Sequence, residues 1–297
     1  YYRYNEMFNG INNLHTGSDL LSGRLFVVAT TIGNIDDITI RSIETLKSVD
    51  LIAAEDTRHT RNLLNHFQIK VPLTSYYEHK KREKGEFVLK KLMDGQNVAL
   101  VSDAGMPAIS DPGSDLIGLC LENGIDFTVI PGATAFATAL VMSGLSTDSF
   151  SFEGFLTVKK SGRLAHLERI KMDKRTLIFY EAPHKLLRTL ADMREVLGDR
   201  RAALCRELTK KYEEVIRGSF SELEIHFTEK EPRGEFVVVV EGCLENVFNN
   251  AFSESASSEI DRLILSGVDK KTAISQVARQ RGLPKREVYN EYLCKNE

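Results

Sequence analysis

The sequence predicts an α/β protein, with two α/β domains followed by a small all-helical C-terminal domain. Three observations carry that expectation. From residue 25 to 142, short runs rich in branched apolar residues alternate with amphipathic stretches, as in parallel strands joined by helices. A polar turn at 144–148 then opens a second unit with more strands per helix, which predicts a mixed sheet. After 249–258, a stretch rich in Ser, Asn and Ala that reads as a linker, no strand pattern returns. The expected boundaries are a disordered or tag-containing lead at 1–23, α/β domains at 24–145 and 146–248, and a helical domain at 249–297.

In the first domain, strands are expected at 25–30, 50–54, 73–76, 97–101 and 126–130, each short and apolar. Helices are expected between and after them at 39–49, 57–67, 83–94, 115–123 and 134–142. In the second domain the strands are 151–155, 176–180, 202–206, 213–217 and 235–241, and the helices 163–172, 185–197 and 221–227. The tail reads as helices at 259–266, 271–281 and 284–293. Gly267 and Gly282 fall at helix ends, and Pro284 suits a first helical turn.

A chain of 297 residues with 42% hydrophobic and 27% charged residues has room for a sizeable core. Its net charge of −3 is not that of a polycation, so nucleic-acid contact must come from local patches. Cys120, Cys205, Cys243 and Cys294 lie far apart with no C-x-x-C pair, which argues against zinc and for reduced thiols in a cytoplasmic protein. No metal is expected. No apolar run is long enough to span a membrane, and the polar segment 1–22 lacks a signal-peptide core.

The most informative stretch is Ser102-Asp103-Ala104-Gly105-Met106-Pro107-Ala108-Ile109-Ser110-Asp111-Pro112-Gly113. It follows a buried strand and precedes a helix, the position where open α/β sheets bind ligands. Its glycines permit close backbone approach and its prolines fix the loop's shape. The first strand leads into Thr30-Thr31-Ile32-Gly33-Asn34, without the spacing of a dinucleotide or nucleotide-phosphate cradle. Glu55, Asp56, Arg58 and Arg61 cluster at another strand end, and Pro131-Gly132-Ala133-Thr134-Ala135 forms a third strand-to-helix turn. In the second domain, Tyr180-Glu181-Ala182-Pro183-His184 and Arg206-Glu207-Leu208-Thr209-Lys210-Lys211-Tyr212-Glu213-Glu214 carry charge directly past strands. Two patches are basic. Residues 159–175 hold seven Lys/Arg against two acids, and 270–286 hold six with no acid, a pattern suited to phosphates.

Taken in order, ATTIGN-x-DDIT, AAEDTR, VALVSDAGMPAISDPG, VIPGATA, FSFEGFL, YEAPH, RELTK and RGEF resemble the bacterial 16S ribosomal RNA ribose 2′-O-methyltransferase I family. That family is a branch of the tetrapyrrole methylase superfamily, and the resemblance covers nearly all of residues 25–242. It implies two α/β domains enclosing S-adenosylmethionine, a homodimer, and methylation of a cytidine ribose in the decoding region of the small ribosomal subunit. Carried over by motif, the cofactor should touch Thr31, Asp103, Gly105, Met106, Pro107, Ala108, Ile109, Ser110, Thr134 and Ala135. Leu156, Glu181 and Gly234 should contribute from the second domain. The chain departs from the family pattern at Thr31 and Met106, both in cofactor loops.

A 2′-hydroxyl is a weak nucleophile and needs a proton acceptor or a carboxylate to hold it. Asp103, Glu181 and Glu207 meet that requirement at strand ends, and Glu55 meets it if its strand ends beside the cofactor. Asp103 leads the cofactor loop, which puts Glu207 first and Glu181 next as catalytic residues. Arg58, Lys159, Lys160, Arg206 and Lys210 are expected to meet RNA from the α/β domains. Lys270, Lys271, Arg279, Arg281, Lys285 and Arg286 are expected to do so from the helical domain. The alternatives are a tetrapyrrole or other small-molecule methylase, against which the basic tail argues, and an inactive RNA-binding relative.

Overall fold

A computed structural model describes residues 22–77, 81–244, 255–281 and 283–294. Residues 1–21 of the expected lead and 245–254, which include most of the expected linker, lie outside the described residues. The chain divides into two compact units, Tyr1–Ile170 with Arg175–Glu241, and Lys171–Lys174 with Gly242–Glu297. Both sheets belong to the first unit.

The first sheet is all parallel, in the order β3-β2-β4-β1-β5. Its strands are β1 (Leu25–Val28), β2 (Leu51–Ala54), β3 (Leu73–Ser75), β4 (Val98–Val101) and β5 (Phe127–Ile130). The helices α1 (Ile40–Ser48), α2 (Thr57–His66), α3 (Lys81–Met93) and α4 (Ser114–Glu122) connect them, and α5 (Ala135–Ser143) follows β5. β2 and β4 are buried at every residue, as strands covered on both faces must be. From β1 the chain crosses towards β2; from β4 it crosses the opposite way, towards β5. Right-handed crossovers in opposite directions put their helices on opposite faces. The two cores agree: Leu46 of α1 and Leu64 of α2 pack on one side, and Val88 and Leu92 of α3 and Leu116 of α4 on the other. The carboxyl edge where the crossovers part, at β1 and β4, is the position at which such sheets bind ligands.

The second sheet is mixed, as expected, in the order β6-β7-β10-β8-β9. It comprises β6 (Phe150–Phe155), β7 (Thr176–Glu181), β8 (Arg201–Arg206), β9 (Glu214–Ser219) and β10 (Phe236–Val240). β6 and β7 run parallel, and the remaining pairs are antiparallel. α6 (Lys160–Ile170), α7 (Leu186–Leu197) and α8 (Phe220–Glu229) cover one face through Leu167, Leu190, Met193 and Phe220. The other face is covered by α5. Ala139 and Leu140 pack there on Ile178, Ala203, Val237 and Val239. Its sequence, AFATALVMS, is apolar nearly all round; Ala139 and Leu140 are buried, while Val141 stays 74% exposed. Arg217 of β9 fixes its end by donating from Nε to the Ser143 carbonyl at 2.9 Å.

The helical unit contains α9 (Ala256–Leu265), α10 (Lys270–Arg281) and α11 (Lys285–Cys294), packed through Ile260, Ile274, Val277, Val288 and Tyr292. α9 starts inside the stretch read as linker. Ser255 Oγ accepts the Ser258 amide at 3.2 Å, so a serine taken as linker composition is a helix cap. β1 stops short of the expected residue 30 because Thr30 donates its amide to the Gly105 carbonyl at 2.8 Å. No helix among the described residues is long and apolar enough to cross a membrane.

Candidate functional site

The carboxyl edge of the first sheet faces a cavity. It is a cleft of about 470 Å³ between the carboxyl ends of the first sheet and the β7, β8 and β10 ends of the second. The long loop after β4 forms one wall with Ala104, Gly105, Met106, Ile109, Ser110 and Asp111. Ile32, Thr134, Ala135 and Phe136 extend that wall from the loops after β1 and β5. The second sheet contributes Phe155, Tyr180–His184, Glu207, Leu208, Lys210 and Glu235–Val237.

The loop after β4 is tied to the loop after β1 by backbone exchange. Gly105 accepts the Thr30 amide at 2.8 Å and donates its own to the Thr31 carbonyl at 3.2 Å. This geometry needs φ +77° at Gly105, a conformation glycine adopts without steric cost. Ala108 carries φ +66° in the same loop. The loop after β8 is also held in an uncommon conformation, with φ +50° at Glu207 and +63° at Thr209. Left-handed backbone at non-glycine residues costs on the order of 1–3 kcal/mol each and persists where surroundings enforce it. Here Asn34 donates its amide to Thr209 Oγ1 at 2.9 Å, and Thr209 donates its amide to Glu213 Oε2 at 2.6 Å. A side chain at Gly33 would meet Lys210 Cγ at 2.5 Å and the Leu208 carbonyl at 2.7 Å, so the two loops are closely packed.

The carboxylates of the site differ sharply in freedom. Glu181 is 3% exposed, with Oε2 accepting from Thr189 Oγ1 at 2.6 Å and Oε1 from the Ala182 amide at 2.8 Å. Asp103 turns away and accepts the Asp56 amide at 3.0 Å. Glu207 is half-buried; Oε1 accepts from Lys210 Nζ at 3.2 Å and from the Glu235 amide at 3.4 Å. Burial pushes the Asp111 carboxyl above its ordinary value despite a hydrogen bond from Ser102, with the Asp103 and Glu235 charges adding to the rise. Burial likewise pushes Tyr180 up to about 12, so its hydroxyl stays protonated beside the Phe136 backbone.

Glu55 lies at the end of β2, near Asp111 and Asp103. Burial, then those two charges, raise it above its ordinary 4.5. A raised carboxyl is one whose ionisation the fold opposes, so folding loses stability as pH rises from 4.5 through the folded value. Glu55→Gln is expected to raise the thermal midpoint at pH 7. Repeated scans should show the gain vanishing below about pH 4.5; a gain equal at pH 7 and pH 4 refutes the charge account.

Of the residues expected at the cofactor, Gly105, Met106, Ile109, Ser110, Thr134, Ala135 and Glu181 line the cleft. Thr31, Asp103, Pro107, Ala108, Leu156 and Gly234 do not. Thr31 acts through its carbonyl on Gly105, and Leu156 is buried at 4% exposure. Gly234 instead packs on Glu207, where an added Cβ would sit 2.5 Å from Oε1. Asp111, Phe136, Phe155, Tyr180 and Leu208 line the cleft without having been assigned to it; each sits inside or beside a motif already singled out.

Several basic residues are engaged within the protein. Arg58 is 88% exposed and pairs with Asp56, holding that carboxyl down at about 2 through their hydrogen bonds. Lys160 reaches Asp192 at 3.7 Å and Glu195 at 3.8 Å, while Lys159 is exposed. Arg206 pairs with Glu214 at 2.6 Å. In the helical unit Lys270, Lys271, Arg279, Lys285 and Arg286 are exposed. Arg281 is turned inward to Glu259 at 2.8 Å with 12% side-chain exposure, so it braces α10 against α9.

Residues 24–224 match the model of the tetrapyrrole (corrin/porphyrin) methylases. The chain is 50% identical over 273 residues to the ribosomal RNA small subunit methyltransferase I of Halalkalibacterium halodurans, covering 91% of this chain and 94% of that one. It is 46% identical over 277 residues to the protein of that name in Bacillus subtilis, covering 92% and 95%. Among solved structures, diphthine synthase superposes with a TM-score of 0.58 at 14% identity, over 74% of this chain and 90% of that one. Uroporphyrin-III-C-methyltransferase from Thermus thermophilus superposes with a TM-score of 0.54 at 20% identity, over 73% and 94%. At those identities the two structures speak for the fold.

Proposed function

The chain belongs to the tetrapyrrole methylases, in their ribosomal RNA small subunit methyltransferase I branch, and from that premise we propose the reaction: transfer of a methyl group from S-adenosylmethionine to the ribose 2′-hydroxyl of a cytidine in small-subunit (16S) ribosomal RNA. S-adenosylmethionine supplies an electrophilic methyl on a sulfonium, so the protein's task is alignment and proton removal. The cleft suits that cofactor. Its volume of about 470 Å³ lies in the range of ligand pockets, and its walls are mostly apolar, with Met106, Ile109, Phe136 and Phe155 available to flank an adenine. Gly105 brings backbone to the surface of the cleft, where amide and carbonyl groups can meet the methionine and ribose portions.

Glu207 is the carboxylate assigned to the hydroxyl. The observation that carries this choice is its placement: a half-buried acid on an enforced left-handed turn at the cleft wall. Both of its hydrogen bonds fall on Oε1; among the described residues none involves Oε2. Glu181, by contrast, already has both oxygens occupied. In this scheme the 2′-oxygen forms a bond to the methyl carbon as the carbon–sulfur bond breaks, and its proton passes to Glu207. Lys210 Nζ, 3.2 Å from Glu207 Oε1, holds that carboxylate in place at the cleft wall.

The exposed cations of α10 and α11 hold RNA phosphates, a task a tetrapyrrole substrate would not set. The protein acts in the cytoplasm as a homodimer. Exposed Val129, Val141 and Phe150, on β5, α5 and β6, offer apolar surface to a second copy. The reaction is tested by incubating the protein and labelled S-adenosylmethionine with small-subunit ribosomal RNA and mapping ribose methylation. One modified cytidine is expected. Cofactor binding without transfer to RNA would sink the reading.

A further inference from the structure

A second groove, of about 540 Å³, shares Glu207 with the cofactor cleft. Arg206, Tyr212, Lys230 and Arg233 line it, together with the carboxylates of Glu207 and Glu231. If RNA presents its ribose to Glu207, as the proposed reaction requires, the neighbouring nucleotide must lie close by. We propose that this groove seats that neighbouring nucleotide, with its base stacked on Tyr212 and its phosphate held by Lys230 and Arg233.

Tyr212 is a large aromatic left 66% exposed on the turn between β8 and β9. The Lys211 ammonium lies 5.6 Å from its ring centroid. An exposed ring beside cations is the arrangement that stacks unpaired bases, and single-stranded RNA is read through bases splayed onto such rings. Arg233 is 79% exposed, and its contact with the equally exposed Glu231 is 3.3 Å long. A solvated pair of this kind contributes little, so a phosphate can replace the carboxylate. Lys230 is 55% exposed and shares Glu214 with Arg206. Arg206 faces inward, its Nη1 donating to the Arg233 carbonyl at 3.3 Å, and sets the position of Arg233's backbone. The lining acids keep the groove from being a general polyanion trap, which favours one stacked nucleotide over a long phosphate track.

The inference rests on the methyltransferase reading, and binding separates the two. The probe is a fluorescently labelled single-stranded oligoribonucleotide of small-subunit decoding-region sequence, titrated into the full chain with S-adenosylmethionine present. Tyr212→Ala is expected to weaken binding by roughly 5- to 150-fold, the range of one lost base stack. Tyr212→Phe should bind as wild type, since the ring remains. Arg233→Ala should lower the slope of log affinity against log salt by about one phosphate contact. Calorimetric affinity for S-adenosylmethionine should not change in any variant. The groove assignment is overturned by Tyr212→Ala binding RNA within twofold of wild type, by Tyr212→Phe losing as much as the alanine, by a wild type that fails to bind the probe, or by a matching loss of cofactor affinity. A wild type that binds the probe but transfers no methyl would refute the reaction, and the three variants would still decide the groove.

Discussion

Gly105→Val is expected to reduce S-adenosylmethionine binding below calorimetric detection while the chain remains folded. Two effects act together. Gly105 sits at φ +77°, which a β-branched residue strongly resists. A Cβ there would lie 3.1 Å from Ile32 Cγ2 and 3.3 Å from the Ala133 carbonyl, so both neighbours must give by a few tenths of an ångström, and the γ-carbons of valine add bulk beyond that. The backbone exchange between Thr30, Thr31 and Gly105 is strained by the same change. Gly105→Ala keeps the φ penalty with less bulk and should bind measurably but more weakly. Circular dichroism and a denaturant midpoint establish that each variant folds. A folded valine variant with wild-type affinity would remove the cofactor from this cleft.

Glu207→Gln is expected to slow single-turnover methylation by roughly 10²–10⁴-fold, the range for a lost general base. Cofactor and RNA affinities should stay near wild type, because glutamine preserves the shape that packs on Gly234 and Lys210. A rate within a few-fold of wild type would transfer the role to Asp111, whose raised carboxyl also lines the cleft.

The fold was legible because burial leaves a strong imprint. Strands such as 98–101 and 236–240 are apolar at every position, and in the first domain the alternation of strands with helices implied the parallel sheet. The cleft wall was legible because its loop stood out: glycine and proline mark backbone that must hold a particular shape. What the sequence concealed depended on contacts between distant residues. Glu181 reads like a free acid until Thr189 and Ala182 are seen to saturate it. Arg281 reads like its exposed neighbours until Glu259 is found beneath it. Tyr180 and Phe136 become cleft residues only when β7 and α5 are brought together. The left-handed turns at Glu207 and Thr209 carry no glycine to announce them.

The placement of α5 bears on how such a protein can be taken apart or evolve. The polar turn at 144–148 invites a cut between two apparently separate modules. A cut there would carry α5 away with the first sheet and strip the cover from Ile178, Ala203, Val237 and Val239 of the second. It would also leave Arg217 without the Ser143 carbonyl that it holds. Neither half would then inherit a complete interior, so the two sheets can be exchanged between relatives only if the helix travels with the sheet it covers, rather than with the sheet that precedes it in the chain.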